Sequence, residues 1–155
     1  MEDCPYVLNW FPRLKHCEIQ LSVSFEVNNT LLRFLNQFLS ISSSTSLIET
    51  FDFTLCWMCN ESDEPGHTKY LFIPDAGWSA LDKTLTSKFP SLSRVVFDFS
   101  VNFEMNILMR DSVDEDFHYG LEVAKQSTLL CIEALFPMSR TLSECTLEMD
   151  MSFVE

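Results

Sequence analysis

One spacing recurs along this chain and limits what it can fold into. Phe11-Pro12-Arg13-Leu14 is followed by Ile19, Leu21, Ser22, Val23 and Phe25. Phe89-Pro90-Ser91-Leu92 is followed at the same offsets by Phe97, Phe99, Ser100, Val101 and Phe103. The shared pattern is F-P-x-L-x4-Φ-x-Φ-S-V-x-F, where Φ is apolar. A third copy has Leu142, Cys145, Leu147, Met149, Met151 and Phe153 in the spacing of Leu14, Cys17, Ile19, Leu21, Val23 and Phe25, with Phe136-Pro137 three residues further ahead. A fourth, weaker copy has Ile48, Phe51, Phe53, Leu55 and Trp57. Units recurring at fixed offsets stack as like elements around a shared core. The competing explanation is four unrelated amphipathic strands. The common Phe-Pro-x-Leu lead and the Ser-Val centre weigh against it.

Within each copy apolar and polar residues alternate, the period of a strand with one buried face. The first copy would bury Cys17, Ile19, Leu21, Val23 and Phe25 and expose Glu18, Gln20, Ser22 and Ser24. Helical spacing fills the intervals. Asn29 or Thr30 can cap a helix carrying Leu31, Leu32, Phe34, Leu35, Phe38 and Leu39. A second starts near Asp75, carries Trp78, Leu81, Leu85 and Phe89, and stops before Pro90. A third runs from about Tyr119 to Leu135, with Leu121, Ala124, Thr128, Leu129 and Ile132 on one face. Strand–helix alternation implies parallel strands with crossover helices. A strand covered on both faces reads as a nearly continuous apolar run. These alternate, so one face is expected to be wet. The expected fold is α/β: a short solenoid of about four parallel strands with helices on one face. The expected divisions are a lead-in over 1–10 and one repeat domain over 11–155. Its strand–helix units lie near 14–45, 48–88 and 92–135, with a terminal strand at 142–153.

Charge narrows the partners. Ten Lys and Arg stand against 23 Asp and Glu, a formal net charge of −13. Nucleic-acid affinity comes largely from cations displacing counterions at phosphates, so a polyanion is disfavoured. An anionic membrane surface is disfavoured for the same reason. A basic protein or peptide fits better. Met1-Glu2-Asp3-Cys4-Pro5 is acidic and precedes no apolar signal-type run. An intracellular, reducing setting is therefore expected for the six cysteines (Cys4, Cys17, Cys56, Cys59, Cys131 and Cys145), most of them as small buried hydrophobes.

Three stretches resemble a known family: Leu31-Leu32-Arg33-Phe34-Leu35, Trp78-Ser79-Ala80-Leu81-Asp82, and Phe89 through Phe97. They are similar to the leucine-rich-repeat region of the large F-box-like protein families of mushroom-forming fungi. The resemblance covers roughly residues 11 to 153 and implies a leucine-rich-repeat-like solenoid. The steps from Leu14 to Ile48, Leu92 and Leu142 exceed a standard leucine-rich repeat, the excess falling in polar segments at 60–67 and 111–118. In that family an F-box docks on a Skp-type adaptor of a cullin ubiquitin ligase and the repeats present a substrate. An F-box needs ~40 residues, and only about ten precede the first repeat here. The resemblance thus implies a repeat region without its docking module.

The chemical motifs are sparse. Cys56-Trp57-Met58-Cys59 with nearby His67 could supply half of a tetrahedral zinc site, but no second C-x2-C follows. Trp57 keeps strand register, which would point Cys56 and Met58 together to the other face. The acids Asp111, Asp114, Glu115 and Asp116 lack the calcium-loop ligand order and its central glycine. His16, His67 and His118 accompany no nucleophile motif. No cofactor and no enzymatic reaction are expected. The surface singled out is the wet strand face, whose rows would hold Glu18, Gln20, Asp52, Thr54, Asp98, Ser100, Asn102, Glu148 and Asp150. It reads either as a platform for a protein or peptide or as an acidic face kept for solubility. The overall expectation is a non-catalytic interaction scaffold derived from a ubiquitin-ligase substrate receptor. The alternatives are a small α/β enzyme using Cys or His chemistry and a non-functional fragment of a longer repeat protein. Open terminal strands add self-association as a further expectation.

Overall fold

The structure is a computed structural model that describes residues 13–24, 28–40, 47–59, 76–104 and 115–154. Among the described residues four strands alternate with three helices: β1 (His16–Ser24), α1 (Asn28–Ser40), β2 (Thr50–Cys59), α2 (Ala76–Lys88), β3 (Arg94–Glu104), α3 (Glu115–Leu135) and β4 (Glu144–Val154). A 3-10 turn at Ser139–Thr141 precedes β4. The strands form one sheet in the order β1-β2-β3-β4, and every neighbouring pair is parallel. The order advances without reversal, whereas a doubly wound sheet turns back at a switch point. The fold is therefore α/β with a four-stranded parallel sheet.

The repeat offsets and the sheet register coincide. Cys17 pairs with Phe51, Phe51 with Val95 and Val95 with Cys145. One step along, Ile19, Phe53, Phe97 and Leu147 form the next row, then Leu21, Leu55, Phe99 and Met149. The residues before the strands repeat as well. The N–H groups of Glu49 and Thr50 donate to the Lys15 carbonyl, those of Ser93 and Arg94 to the Glu49 carbonyl, and that of Glu144 to the Ser93 carbonyl.

These rows make the core. In β2 burial alternates residue by residue, with Phe51, Phe53, Leu55 and Trp57 inward. Phe53 stacks on Phe97 at 5.2 Å, and Phe97 lies 5.9 Å from Phe99. The layer above locks into this ladder. Trp78 of α2 meets Phe99 edge-on at 6.1 Å, and Phe136, just past α3, stacks on Phe97 at 4.1 Å. Phe89, just past α2, meets Phe51 edge-on at 4.7 Å. Each such ring contributes roughly 1.5–3 kcal/mol by burial alone. On α3, Ala124, Thr128 and Ile132 face inward as the spacing predicts, and the Thr128 hydroxyl donates to the Ala124 carbonyl.

Some boundaries and faces differ from the sequence reading. Helix α1 begins at Asn28, a residue or two before the expected cap. Helix α3 begins at Glu115, four residues before Tyr119. Glu115 and Asp116, read as loop acids, belong to its first turn. Phe34, assigned to the apolar stripe of α1, is 42% exposed and stacks on Phe38 instead of entering the core. The segment 60–67, His67, Asp111, Asp114 and the lead-in 1–10 lie outside the described residues. No helix among the described residues is long and apolar enough to cross a membrane.

Candidate functional site: the open face of the sheet

Because side chains alternate across a strand, the face opposite the core is built from the even-numbered residues. All nine residues expected there lie on it, and the register assigns them to rows. The first row is His16–Thr50–Arg94–Glu144, the second Glu18–Asp52–Val96–Thr146, the third Gln20–Thr54–Asp98–Glu148. The fourth is Ser22–Cys56–Ser100–Asp150, and Met58, Asn102 and Ser152 follow. The acids therefore do not share one row. Glu18 adjoins Asp52, Asp98 adjoins Glu148 one row on, and Asp150 sits in the next. On the inner strands Asp52, Thr54, Asp98, Ser100 and Asn102 are half-buried, while Glu18, Gln20, Glu148 and Asp150 on the outer strands are exposed.

The charges on this face are unequal in their compensation. Among the residues whose side chains are described, Glu18, Asp52, Asp98, Glu144, Glu148 and Asp150 share it with Arg94 and His16. Arg94 Nε lies 3.2 Å from Glu144, and Lys125 reaches from α3 to Asp150 at 3.6 Å. His16 Nδ1 is 2.6 Å from the Thr50 hydroxyl, and its Nε2 is 3.8 Å from Asp52 Oδ2. The other Asp52 oxygen is buried with no hydrogen-bond partner among the described residues. Glu18, Asp98 and Glu148 have no ion pair among the described residues. The sequence reading missed Arg94, Glu144 and Lys125. Arg94 and Glu144 stand at one repeat offset, so the alignment of copies already carried that pairing. Nothing in the sequence ties Lys125 to Asp150.

In the row of Met58, Asn102 and Ser152 the described side chains are uncharged, and sulfur lies beside the amide. The Asn102 amide nitrogen lies 3.0 Å from Cys56 Sγ and 3.8 Å from Met58 Sδ, and the Ser152 hydroxyl donates to Asn102 Oδ1 at 2.6 Å. Cys56 and Met58 do share this face, as the register of Trp57 requires. Cys59 is buried on the other side, so the two cysteines of the C-x2-C point apart and do not form half of a tetrahedral site. Among the described residues no group of three or more His, Cys, Asp or Glu is placed to hold a metal ion. No family model matches the chain, and no curated protein and no solved structure matches it either.

Proposed function

We propose that this chain is a non-catalytic interaction module whose open sheet face receives a basic protein or peptide. The observation that carries the reading is the placement of Glu18, Asp98 and Glu148. These acids lie beside other acids on one face of the sheet, Glu18 next to Asp52 and Asp98 next to Glu148, with no ion pair among the described residues. Neighbouring strands run about 4.8 Å apart, and like charges directly opposite are unfavourable. A cationic partner offsets that repulsion, and its binding weakens with salt. The resemblance to the substrate-presenting repeats of F-box-like proteins supports the same role, with an intracellular setting and descent from a ubiquitin-ligase receptor as parts of the proposal.

A labelled lysine-rich peptide and a length-matched glutamate-rich one supply the test by fluorescence anisotropy. The basic peptide is expected to bind, and the Asp52→Lys/Asp98→Lys double variant to weaken it about tenfold. Binding that is equal for both peptides, or unchanged in the folded double variant, removes the reading.

A further inference from the structure

We infer that β4 of one copy pairs with β1 of a second copy, so that chains stack head to tail. The outer strands β1 and β4 each pair with one neighbour among the described residues. Every observed pairing sets equivalent positions of the repeat opposite one another. Carrying that register once past β4 places His16 of the second copy opposite Glu144, Glu18 opposite Thr146, Gln20 opposite Glu148 and Ser22 opposite Asp150. No like charges meet directly, and a basic side chain meets Glu144. On the core side Leu147 would meet Ile19. Both are half-buried in the single chain, whereas Phe53 and Phe97 in the same row are fully buried. The second copy thus covers apolar surface that the outer strands leave open.

Charge weighs against a two-fold pairing of β4 with itself. Pairing β4 antiparallel with another β4 in full register sets Glu148 opposite Asp150 at two places, and like charges opposite one another are unfavourable. Head-to-tail pairing is heterologous and leaves a free edge at each end, so it yields a growing series. It uses the sheet edges rather than the open face, and so stands apart from the basic-partner reading.

The experiment is sedimentation velocity over a concentration series on the full chain. Gln20 is exposed, so its substitution leaves the fold intact. Gln20→Lys, facing Glu148 of the neighbour, is expected to tighten association about two- to fivefold, and Gln20→Glu to weaken it similarly. Gln126→Lys, an equal charge change on the exposed side of α3, is expected to leave association near the parent value. Species growing beyond a dimer and following Gln20 in both directions support the stacking. A monomer at all concentrations, a closed dimer, or equal responses at Gln20 and Gln126 would overturn it.

Discussion

Asp82 carries a carboxylate into the helix layer with 2% exposure. Its Oδ1 accepts from the Ser139 N–H at 2.8 Å and the Ser139 hydroxyl at 2.6 Å, and its Oδ2 accepts from the Met138 N–H at 2.9 Å. The side chain therefore ties α2 to the turn that launches β4. Removing it strands two backbone donors, so Asp82→Ala is expected to lose about 2–4 kcal/mol in urea unfolding, and Ser139→Ala about 1 kcal/mol. Equal small losses for both would show that the tie is not structural. Sequence could not show this role, because Asp82 and Ser139 stand 57 positions apart. Cys17 gives a second residue-scale test. Burial pushes its thiol from an ordinary 9.0 up to about 11. Cys145 is raised too, by burial first, with Arg140 opposing and Asp82 adding to the rise. A group whose pKa is higher folded than unfolded stabilises fully below the unfolded value and loses that contribution as pH rises through the folded one. Stability should thus decline between pH 9 and 11, with Cys17 supplying up to about 2 kcal/mol of the fall. Cys17→Ala should flatten the decline in unfolding experiments across that range; an unchanged slope would remove the assignment.

At the scale of elements the Phe-Pro lead is the part most legible in the sequence, and the structure shows its purpose. Phe89 and Phe136 are both fully buried just past a helix, while Pro90 and Pro137 are exposed. The proline ends the helix, and the ring plugs the space between helix and sheet. The Leu92 N–H then donates to the Phe89 carbonyl at 3.0 Å, closing the turn into β3. Phe89→Ala or Phe136→Ala should therefore lose about 3–5 kcal/mol, and Pro90→Ala less than about 1 kcal/mol, read as shifts in urea midpoint. Similar losses at Phe89 and Pro90 would mean the lead acts through the backbone instead. Strand register was readable because a period of two allows no slip once one face is buried. Helix detail was less readable. Phe34 has the spacing of a core residue, yet it stacks on Phe38 at the rim of α1, and spacing cannot distinguish the centre of an apolar stripe from its margin. For the site, alternation identified the face, and row membership required the repeat alignment to be carried through every polar position.

For the whole molecule, a sheet that advances one strand at a time leaves its inner and outer strands with different numbers of partners. The inner strands β2 and β3 have partners on both sides, and their inward residues from Phe51 to Trp57 and from Val95 to Phe103 are closed off from solvent. On the outer strands Ile19, Leu21 and Leu147 remain half-buried. Local opening is easiest where apolar burial is incomplete and backbone pairing is one-sided. Amide exchange in dilute solution should therefore be slowest in β2 and β3, exchanging only through global unfolding, and faster in β1. Leu21→Ala should speed exchange in β1 while leaving β3 close to the new global limit, whereas Phe97→Ala should lower protection everywhere. Uniform protection across all four strands would mean the sheet opens as one cooperative unit. The same measurement reports on stacking. If a second copy pairs along β4, residues 145, 147 and 149 of β4 and residues 16, 18 and 20 of β1 should gain protection as concentration rises, while β2 and β3 stay unchanged. Protection rising equally in every strand would instead reflect association elsewhere on the molecule.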